Sequence, residues 1–211
     1  MRTLVLAIAI CSSAAAVADS EHYEQIRVDG GLTGSSVGIT DRNGFGMVVE
    51  IKGMVRDYLA IGGRVELAMM FGGHIGQDEL PLSFAMATCG LLKVELYGGA
   101  GYVRPFAGLG AGGYTIGSQA IVSGPNTSGI QSSIGRYFGV APQIGVDLGR
   151  VRIAATYNAI LGASLEVVEM VGGVRQTSQV SQNYLSVELS FQFAGGRKRA
   201  PNTQPRPPCC E

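Results

Sequence analysis

The stretch Tyr184-Leu-Ser-Val-Glu-Leu-Ser-Phe-Gln-Phe193 alternates apolar and polar residues from Leu185 onward without exception. Its odd-numbered positions are apolar, and its even-numbered positions are serine, glutamate, serine and glutamine. Because successive side chains of a β-strand point to opposite faces, this pattern predicts a strand with one apolar and one polar face. The same two-residue period recurs through most of the chain and predicts an all-β fold.

The first 18 residues have the three parts of a secretory signal. Arg2 supplies the positive charge, residues 4–10 form an apolar core, and Ala16-Val17-Ala18 forms an A-x-A cleavage site. This apolar core is too short to cross a bilayer as a helix. We therefore expect an exported protein cleaved after Ala18. A lipoprotein anchored through Cys11 is the less favoured alternative, because a bulky isoleucine precedes that cysteine.

The composition differs from that of an ordinary soluble domain. Hydrophobic residues make up 46% of the chain, glycine occurs 32 times and only 15% of the residues are charged, whereas soluble domains usually have about 25% charged residues. After Ala18 no apolar run approaches the ~20 residues of a membrane helix. A barrel in a bacterial outer membrane reconciles these facts, because it spans lipid with alternating strands. The balance of 16 basic and 16 acidic residues gives no reason to expect nucleic acid as a partner.

Eight segments alternate, and the connections between them are short and long in turn. We expect strands near residues 23–33, 44–55, 58–71, 81–97, 102–118, 134–148, 151–163 and 182–193. Short turns are expected at Arg56-Asp57, at residues 98–101 and at Gly149-Arg150, and long loops at residues 34–43, 72–80, 119–133 and 164–181. All short turns and both termini would then lie at one end, which we expect to face the periplasm. The prediction is an eight-stranded antiparallel up-and-down transmembrane β-barrel.

The predicted strands contain a proline and a cysteine at interior positions. Pro142 lies in the middle of the sixth strand and removes one hydrogen bond of the ladder, so a local bulge is expected there. Cys89 lies on the inward face of the fourth strand, without a partner on a neighbouring strand, and is expected to be a small buried residue.

The polar faces of the strands carry charges of both signs. Eight strands enclose an interior barely wide enough for side chains, so the charges must pair or carry a heavy desolvation penalty. The inward set comprises the bases Arg27, Lys52, Arg64, Lys93, Arg104 and Arg152 and the acids Asp29, Glu50, Glu66, Glu95, Asp147 and Glu188. One interpretation is a plug of ion pairs that fills the barrel. The other is a narrow, gated ion pathway in which the pairs exchange partners.

The signal sequence, the eight strands, the stretch Arg104-Pro-Phe-Ala-Gly-Leu-Gly-Ala-Gly-Gly-Tyr114 and the terminal Phe191-Gln-Phe193 resemble the OmpA/OmpX-like outer membrane β-barrel family. The resemblance covers residues 19–193. It implies outer membrane lipid and lipopolysaccharide as surroundings, and a last strand that the barrel-assembly machinery recognises. That assembly signal would fall on Tyr184, Leu185, Val187, Leu189, Phe191 and Phe193.

The chain departs from the simplest members of this family in two respects. It contains no Trp, so an interfacial aromatic girdle would have to be built from Tyr58, Tyr97, Tyr102, Phe193 and other Tyr or Phe residues. It also continues beyond Phe193: residues 194–211 form a basic, proline-rich tail that we expect to be disordered in the periplasm. This tail is too short for the peptidoglycan-binding domain of OmpA-like proteins.

The tail and the loops offer little chemistry. Cys209 and Cys210 could form disulfides in an oxidising periplasm, and the tail could contact anionic envelope polymers or have no task. Asn126-Thr127-Ser128 indicates only a polar, exposed loop. His74 lies near Gln77, Asp78 and Glu79, which could form a metal or general-base site, but a solvated loop is the preferred interpretation. His22 belongs to the mature N-terminus.

No cofactor, metal site or catalytic residue is predicted. Gly108, Gly110 and Gly113 match the G-x-G-x-x-G pattern, but a strand and not a helix follows them, so they are expected to be wall glycines. Some eight-stranded barrels are lipid-modifying hydrolases, but the His-x-Ser arrangement is missing here. The expected function is therefore a structural or surface-interaction barrel whose long loops are available for a ligand. The alternatives are a narrow porin-like channel, a lipid-modifying enzyme and a soluble periplasmic barrel with an apolar ligand.

Overall fold

The computed structural model describes residues 23–37, 42–72, 83–99, 101–124, 127–171, 174–181 and 183–195. It has the strands β1 (Ile26–Val37), β2 (Arg42–Arg56), β3 (Leu59–Gly72), β4 (Ser83–Tyr97), β5 (Val103–Gly124), β6 (Thr127–Leu148), β7 (Val151–Leu161), β8 (Ser164–Val171), β9 (Val174–Ser181) and β10 (Tyr184–Ala194). Eight of these close into a barrel in the order β1-β10-β7-β6-β5-β4-β3-β2. All neighbouring pairs are antiparallel. The predicted all-β, eight-stranded, antiparallel up-and-down barrel is confirmed.

The two ends of the barrel differ in their connections. At one end, here called the turn end, the residue pairs 57–58 and 149–150 connect β2 to β3 and β6 to β7, and residues 98–102 connect β4 to β5. Gly149 adopts a positive φ of 62°, and its N–H donates to the carbonyl of Tyr102 at 2.9 Å. β1 begins and β10 ends at this same end. The opposite end is called the loop end.

Two of the predicted long loops are wrong. β5 and β6 are 22 residues each and stay paired through the segment 119–133 up to Gly124 and Thr127. The segment 164–181 contains β8 and β9, which form a two-stranded sheet of their own. Glycine, serine and glutamine made both segments resemble loops, but interspersed Ile and Val residues favour strands, and hairpin pairing satisfies the backbone. β1 also starts and ends later than expected, at Ile26 and Val37.

The expected bulge at Pro142 is also wrong. Pro142 pairs with Leu109 of β5 in an unshifted register. On the other side, the pairing of β6 with β7 lapses at Ala141 and Pro142 and resumes at Gln143, opposite Thr156, in the same register. A missing N–H therefore interrupts the ladder without inserting an extra residue. The register shifts instead between Val28 and Asp29 and between Met54 and Arg56.

The outer wall of the barrel is apolar. Large hydrophobic side chains on alternate positions of every barrel strand remain exposed, among them Leu32, Phe45, Met47, Val49, Val65, Met86, Leu92, Val94, Leu109, Ile144, Ile153, Leu185, Val187 and Leu189. Gly108, Gly110 and Gly113 lie within β5, which continues as a strand to Gly124. The described residues include no helix with the length and apolar character that a membrane crossing requires.

The aromatic residues expected to form a girdle divide into two groups. Tyr58, Tyr102 and Phe193 are exposed at the turn end. Tyr97 is only 6% exposed and packs against Phe106 inside the barrel, with ring centroids 5.6 Å apart. The assignment of Tyr97 to the girdle was therefore wrong. Its position follows from strand alternation, because it lies two residues after the inward-facing Glu95.

Candidate functional site

The candidate site is the charged interior of the barrel. The twelve charged residues predicted to face inward are each at most 6% exposed. β1 contributes Arg27 and Asp29, β2 Glu50 and Lys52, β3 Arg64 and Glu66, β4 Lys93 and Glu95, β5 Arg104, β6 Asp147, β7 Arg152 and β10 Glu188. On the first four strands, opposite charges lie two positions apart and so share one face. Six bases and six acids are thus enclosed together.

Lys52 is shared among three carboxylates. Its Nζ lies 2.9 Å from Asp29 Oδ2 and 3.0 Å from both Glu50 Oε2 and Glu95 Oε2. These acids belong to β1, β2 and β4, and the lysine itself to β2. One buried ammonium therefore connects strands that are not all neighbours in the barrel wall.

Arg64 connects three acids on β2, β3 and β10. Its Nη1 contacts Glu50 Oε1 at 2.7 Å and Glu188 Oε2 at 2.6 Å, and its Nη2 contacts Glu66 Oε2 at 2.6 Å. Glu188 lies on β10, and β2 and β1 separate that strand from β3, so the guanidinium links strands that are not neighbours in the barrel wall. Glu50 also contacts Lys93 and Lys52 and lies 3.6 Å from Arg152 Nη2, so four cations converge on its carboxylate.

Arg152 completes the centre of the network. Its guanidinium contacts Glu95, lies 3.4 Å from Asp147 Oδ1 and 3.7 Å from Glu188 Oε1, and stacks over the Phe106 ring at 3.7 Å. Each contact comes from a different strand of the wall.

The turn end of the interior is arranged differently. Arg27 Nε donates to Asp29 Oδ1 at 2.8 Å, and its Nη1 donates to Asp147. Arg104 was expected to join the ion pairs, but it forms no salt bridge with any of the other eleven residues. Its guanidinium lies between the rings of Tyr23 and Tyr97, at 3.8 and 4.3 Å. Arg104 is therefore held by aromatic faces.

Apolar layers adjoin the charges towards both ends of the barrel. Near the turn end the layer consists of Tyr23, Met54, Ala60, Tyr97, Phe106 and Ala154. Towards the loop end a larger cluster includes Met70, Leu91, Tyr114, Ile116, Ile160 and Tyr184. Cys89 belongs to this second layer as a free, buried thiol. Enclosure of this kind lowers the local dielectric and strengthens each ion pair, but it also makes an unpaired charge costly.

Neutral polar residues of the network were missed from the sequence. Gln143 accepts from Lys93 Nζ and from Arg152 Nη2, at 3.2 Å for the arginine, and Ser190 Oγ donates to Glu188 Oε1 at 2.6 Å. Tyr114 donates to Asn158 Oδ1 at 2.9 Å in the layer above. Strand alternation could have identified these residues. Gln143 lies four positions before the inward-facing Asp147, and residues separated by an even number of positions share one face of a strand. The Gln143 side chain carries no formal charge, so it was not among the residues predicted to pair.

Other predicted residues are placed as follows. In the proposed assembly strand, Tyr184 is 1% exposed and faces inward, whereas Leu185, Val187, Leu189, Phe191 and Phe193 are exposed on the outer wall. Within the described ranges no group of three or more His, Cys, Asp or Glu side chains is arranged to hold a metal ion. Some predictions lie outside the described residues: the signal sequence, His22, the loop with His74, Gln77, Asp78 and Glu79, Asn126, and the tail with Cys209 and Cys210.

No protein-family model matches the chain, and no characterised protein sequence matches it. Among solved structures it is similar to Ail, the attachment invasion locus protein of Yersinia pestis, in complex with the heparin analogue sucrose octasulfate. That match has 11% identity and a TM-score of 0.44, and it covers 84% of this chain and 98% of Ail. It is also similar to the outer membrane protein OprG from Pseudomonas aeruginosa, with 12% identity, a TM-score of 0.46 and coverage of 82% and 97%.

A third similar structure is Neisserial surface protein A, with 13% identity, a TM-score of 0.38 and coverage of 83% of this chain and 95% of that protein. These proteins are outer membrane barrels of the OmpA/OmpX-like type, which the sequence was found to resemble. The similarity concerns the fold alone.

Proposed function

We propose that this protein is an integral barrel of the bacterial outer membrane with a structural or surface-interaction role and an interior sealed by ion pairs. The observation that carries the proposal is the polarity of the wall. Apolar side chains such as Val49, Leu109 and Leu189 are exposed on the outside, and twelve charged side chains are buried inside. A soluble barrel that binds an apolar ligand needs the reverse arrangement, whereas a membrane barrel requires this one.

Even the shortest barrel strands are long enough to cross a bilayer. β7 and β10 have 11 residues each, and a tilted strand needs about 9–11 residues to cross a bilayer. Because the barrel is closed, its wall has no edge strand whose unpaired backbone groups would face lipid. Exposed Tyr58, Tyr102 and Phe193 at the turn end suit an interface between hydrocarbon and water.

Membrane insertion is the first test of the proposal. When the full chain is expressed in a Gram-negative host, we expect it in the outer membrane fraction, migrating faster on unheated than on boiled gels. The mass of the purified protein should correspond to a chain beginning at Asp19. Recovery as a detergent-free soluble monomer would contradict the proposal and favour the lipocalin-like alternative.

The sealed interior is supported by how completely its charges are engaged. Glu50 is contacted by lysines and arginines from several strands, and the apolar layers around Phe106 and Tyr114 lie on either side of the charges. We expect these mutually paired side chains in the middle of the barrel to block a continuous aqueous path. Their role is then to fix strand register and to fill the barrel.

A narrow ion pathway is the second candidate function. The observation that favours it is that one cation has several acids within reach. The guanidinium of Arg152 lies within 4 Å of four carboxylates, those of Glu50, Glu95, Asp147 and Glu188. A cation with several acceptors nearby can change partners while remaining neutralised. Such an exchange could open a path if the apolar layers also moved.

Planar bilayer recordings separate the two candidates. For a plug, we expect no stepwise current from the wild-type barrel, because the enclosed charges and the apolar layers exclude water. For a pathway, stepwise currents are expected whose amplitude or open time changes in Glu50→Ala and Arg64→Ala. Stepwise wild-type currents that these substitutions alter would overturn the plug.

A further inference from the structure

A cavity of about 220 Å³ opens at the turn end of the barrel interior. Its lining includes Arg27, Arg104, Asp147, Arg150, Tyr102 and Gln192. Arg27 and Arg104 are buried, and Arg150 is exposed in the tight turn between β6 and β7. Three arginines therefore surround one small space that the ion-pair network does not fill.

Two of these guanidinium groups have unused donors. Nη2 of Arg27 and Nη1 of Arg104 are buried and have no hydrogen-bond partner among the described residues. Arg104 Nε donates to the carbonyl of Gly99 at 3.3 Å and its Nη2 to that of Asp57, so backbone oxygens occupy only part of its fork. An unsatisfied buried donor on a charged group is costly. A ligand with acceptor oxygens would remove this cost.

The charge around the cavity indicates the kind of ligand. Arg27, Arg104 and Arg150 are opposed within the lining by one acid, Asp147. Both oxygens of Asp147 are already engaged, Oδ2 by Arg27 and Oδ1 by Arg152 at 3.4 Å. The lining residues thus carry two positive charges in excess, and Asp29, outside the lining, balances part of the charge of Arg27 at 2.8 Å. A phosphate with several acceptor oxygens matches the remaining positive charge, and arginine forks match its geometry.

The position of Arg104 supports a preformed site. The rings of Tyr23 and Tyr97 hold its guanidinium on two sides, so little side-chain entropy remains to be lost on binding. Arg27 is fixed by its contact with Asp29 at 2.8 Å. The two unused donors belong to side chains that are already oriented.

We propose that this cavity is a binding site for a terminal phosphate group, either free phosphate or the phosphate of a small monoester. Arg104 and Arg27 supply the buried donors, and Arg150 supplies a charge at the entrance. The site requires only the folded barrel, so failure to bind phosphate leaves the proposed membrane role untouched.

The test uses the full-length mature protein in a phosphate-free, uncharged detergent. Inorganic phosphate is titrated against chloride at constant ionic strength, and binding is followed by calorimetry and by the NMR signals of the arginine Nε–Hε groups. We expect saturable binding with shifts at Arg27 and Arg104. Glycerol phosphate should bind as well as inorganic phosphate if a monoester is accepted, and the diester glycerophosphoglycerol, which has one charge less, should bind more weakly.

Variants identify the residues responsible. Because a hydrogen bond to a charged group is worth about 1.5–3 kcal/mol, Arg104→Gln should weaken phosphate binding about tenfold or more. Arg150→Gln should weaken it by a smaller factor, about threefold, as expected for an exposed charge. Arg56→Gln, an exposed arginine of the turn end that does not line the cavity, is the matched control and should leave binding unchanged.

The result that overturns the proposal is equally specific. Phosphate is added up to about 10 mM, which exceeds a dissociation constant in the millimolar range. If the wild-type protein shows no saturable shifts at Arg27 and Arg104 up to that concentration, the site does not exist. Equal losses in Arg150→Gln and Arg56→Gln would also reject it, since they would indicate general charge attraction. If Arg104→Gln does not fold, the wild-type NMR titration and the Arg150 and Arg56 pair still decide the question.

Discussion

Replacing Glu50 with alanine is expected to destabilise the barrel by about 3–5 kcal/mol, the range for removing one partner from a buried ion pair. The carboxylate lies 3.0 Å from Lys52 Nζ and 2.7 Å from Arg64 Nη1, and it also contacts Lys93. All these side chains are buried. The substitution leaves one uncompensated positive charge in an enclosed interior, where neither water nor lipid can neutralise it.

The measurement is equilibrium unfolding in urea of the purified barrel in lipid vesicles, with the free energy taken from linear extrapolation. Glu24→Ala is the matched control, because Glu24 is an exposed acid next to β1 and should change stability by no more than about 0.5 kcal/mol. Glu50→Gln should have an intermediate effect, since it removes the charge but keeps an acceptor oxygen. If the alanine variants at positions 50 and 24 had the same small effect, the enclosed network would not hold the barrel together.

The inward charges could be assigned from the sequence because a strand offers only two faces. Arg64 and Glu66 share one face of β3, and Val65 lies on the other. A charged side chain that faces hydrocarbon destabilises a membrane barrel. Once the chain is taken as a membrane barrel, alternation alone assigns each charge to the interior. The face on which a charge lies does not depend on which strand lies opposite.

The lengths of β5 and β6 could not be predicted in the same way. Residues 119–133 are rich in glycine, serine and glutamine, and a local pattern of that kind resembles a loop. Their strand structure comes from pairing with each other, down to Gly124 opposite Thr127. Hairpin pairing supplies backbone hydrogen bonds whatever the side chains are, and the residue pattern does not encode it clearly.

The pairing of acids and bases inside the network could not be predicted from the sequence either. Which acid each base meets depends on the radial position of strands far apart in the chain, as in Arg64 and Glu188. In the same way, two tyrosine rings, and not a carboxylate, meet the guanidinium of Arg104. Alternation predicts that a residue is inside, and only the closed barrel decides its neighbours.

Replacing Val49 with arginine is expected to destabilise the barrel by about 2–4 kcal/mol in lipid vesicles, the cost of an arginine on the lipid face near the midplane. Val49 is half-exposed on the outer wall, at the centre of β2, opposite Gly30 and Val65. A guanidinium at this height must either enter hydrocarbon or draw water and headgroups towards it. Unfolding in urea measures the loss, and the same variant in a short-chain detergent micelle should lose less.

The control substitution Val103→Arg tests whether the loss depends on the depth of the new charge in the bilayer. Val103 is as exposed as Val49, at 57% and 50% respectively, but it begins β5 at the turn end. An arginine there reaches the interface, so its cost should be about 0–1 kcal/mol. Two equal losses would mean that the outer wall does not experience a hydrocarbon gradient. Because both substitutions leave the enclosed charges intact, they test the lipid-facing side of the barrel independently of the plug.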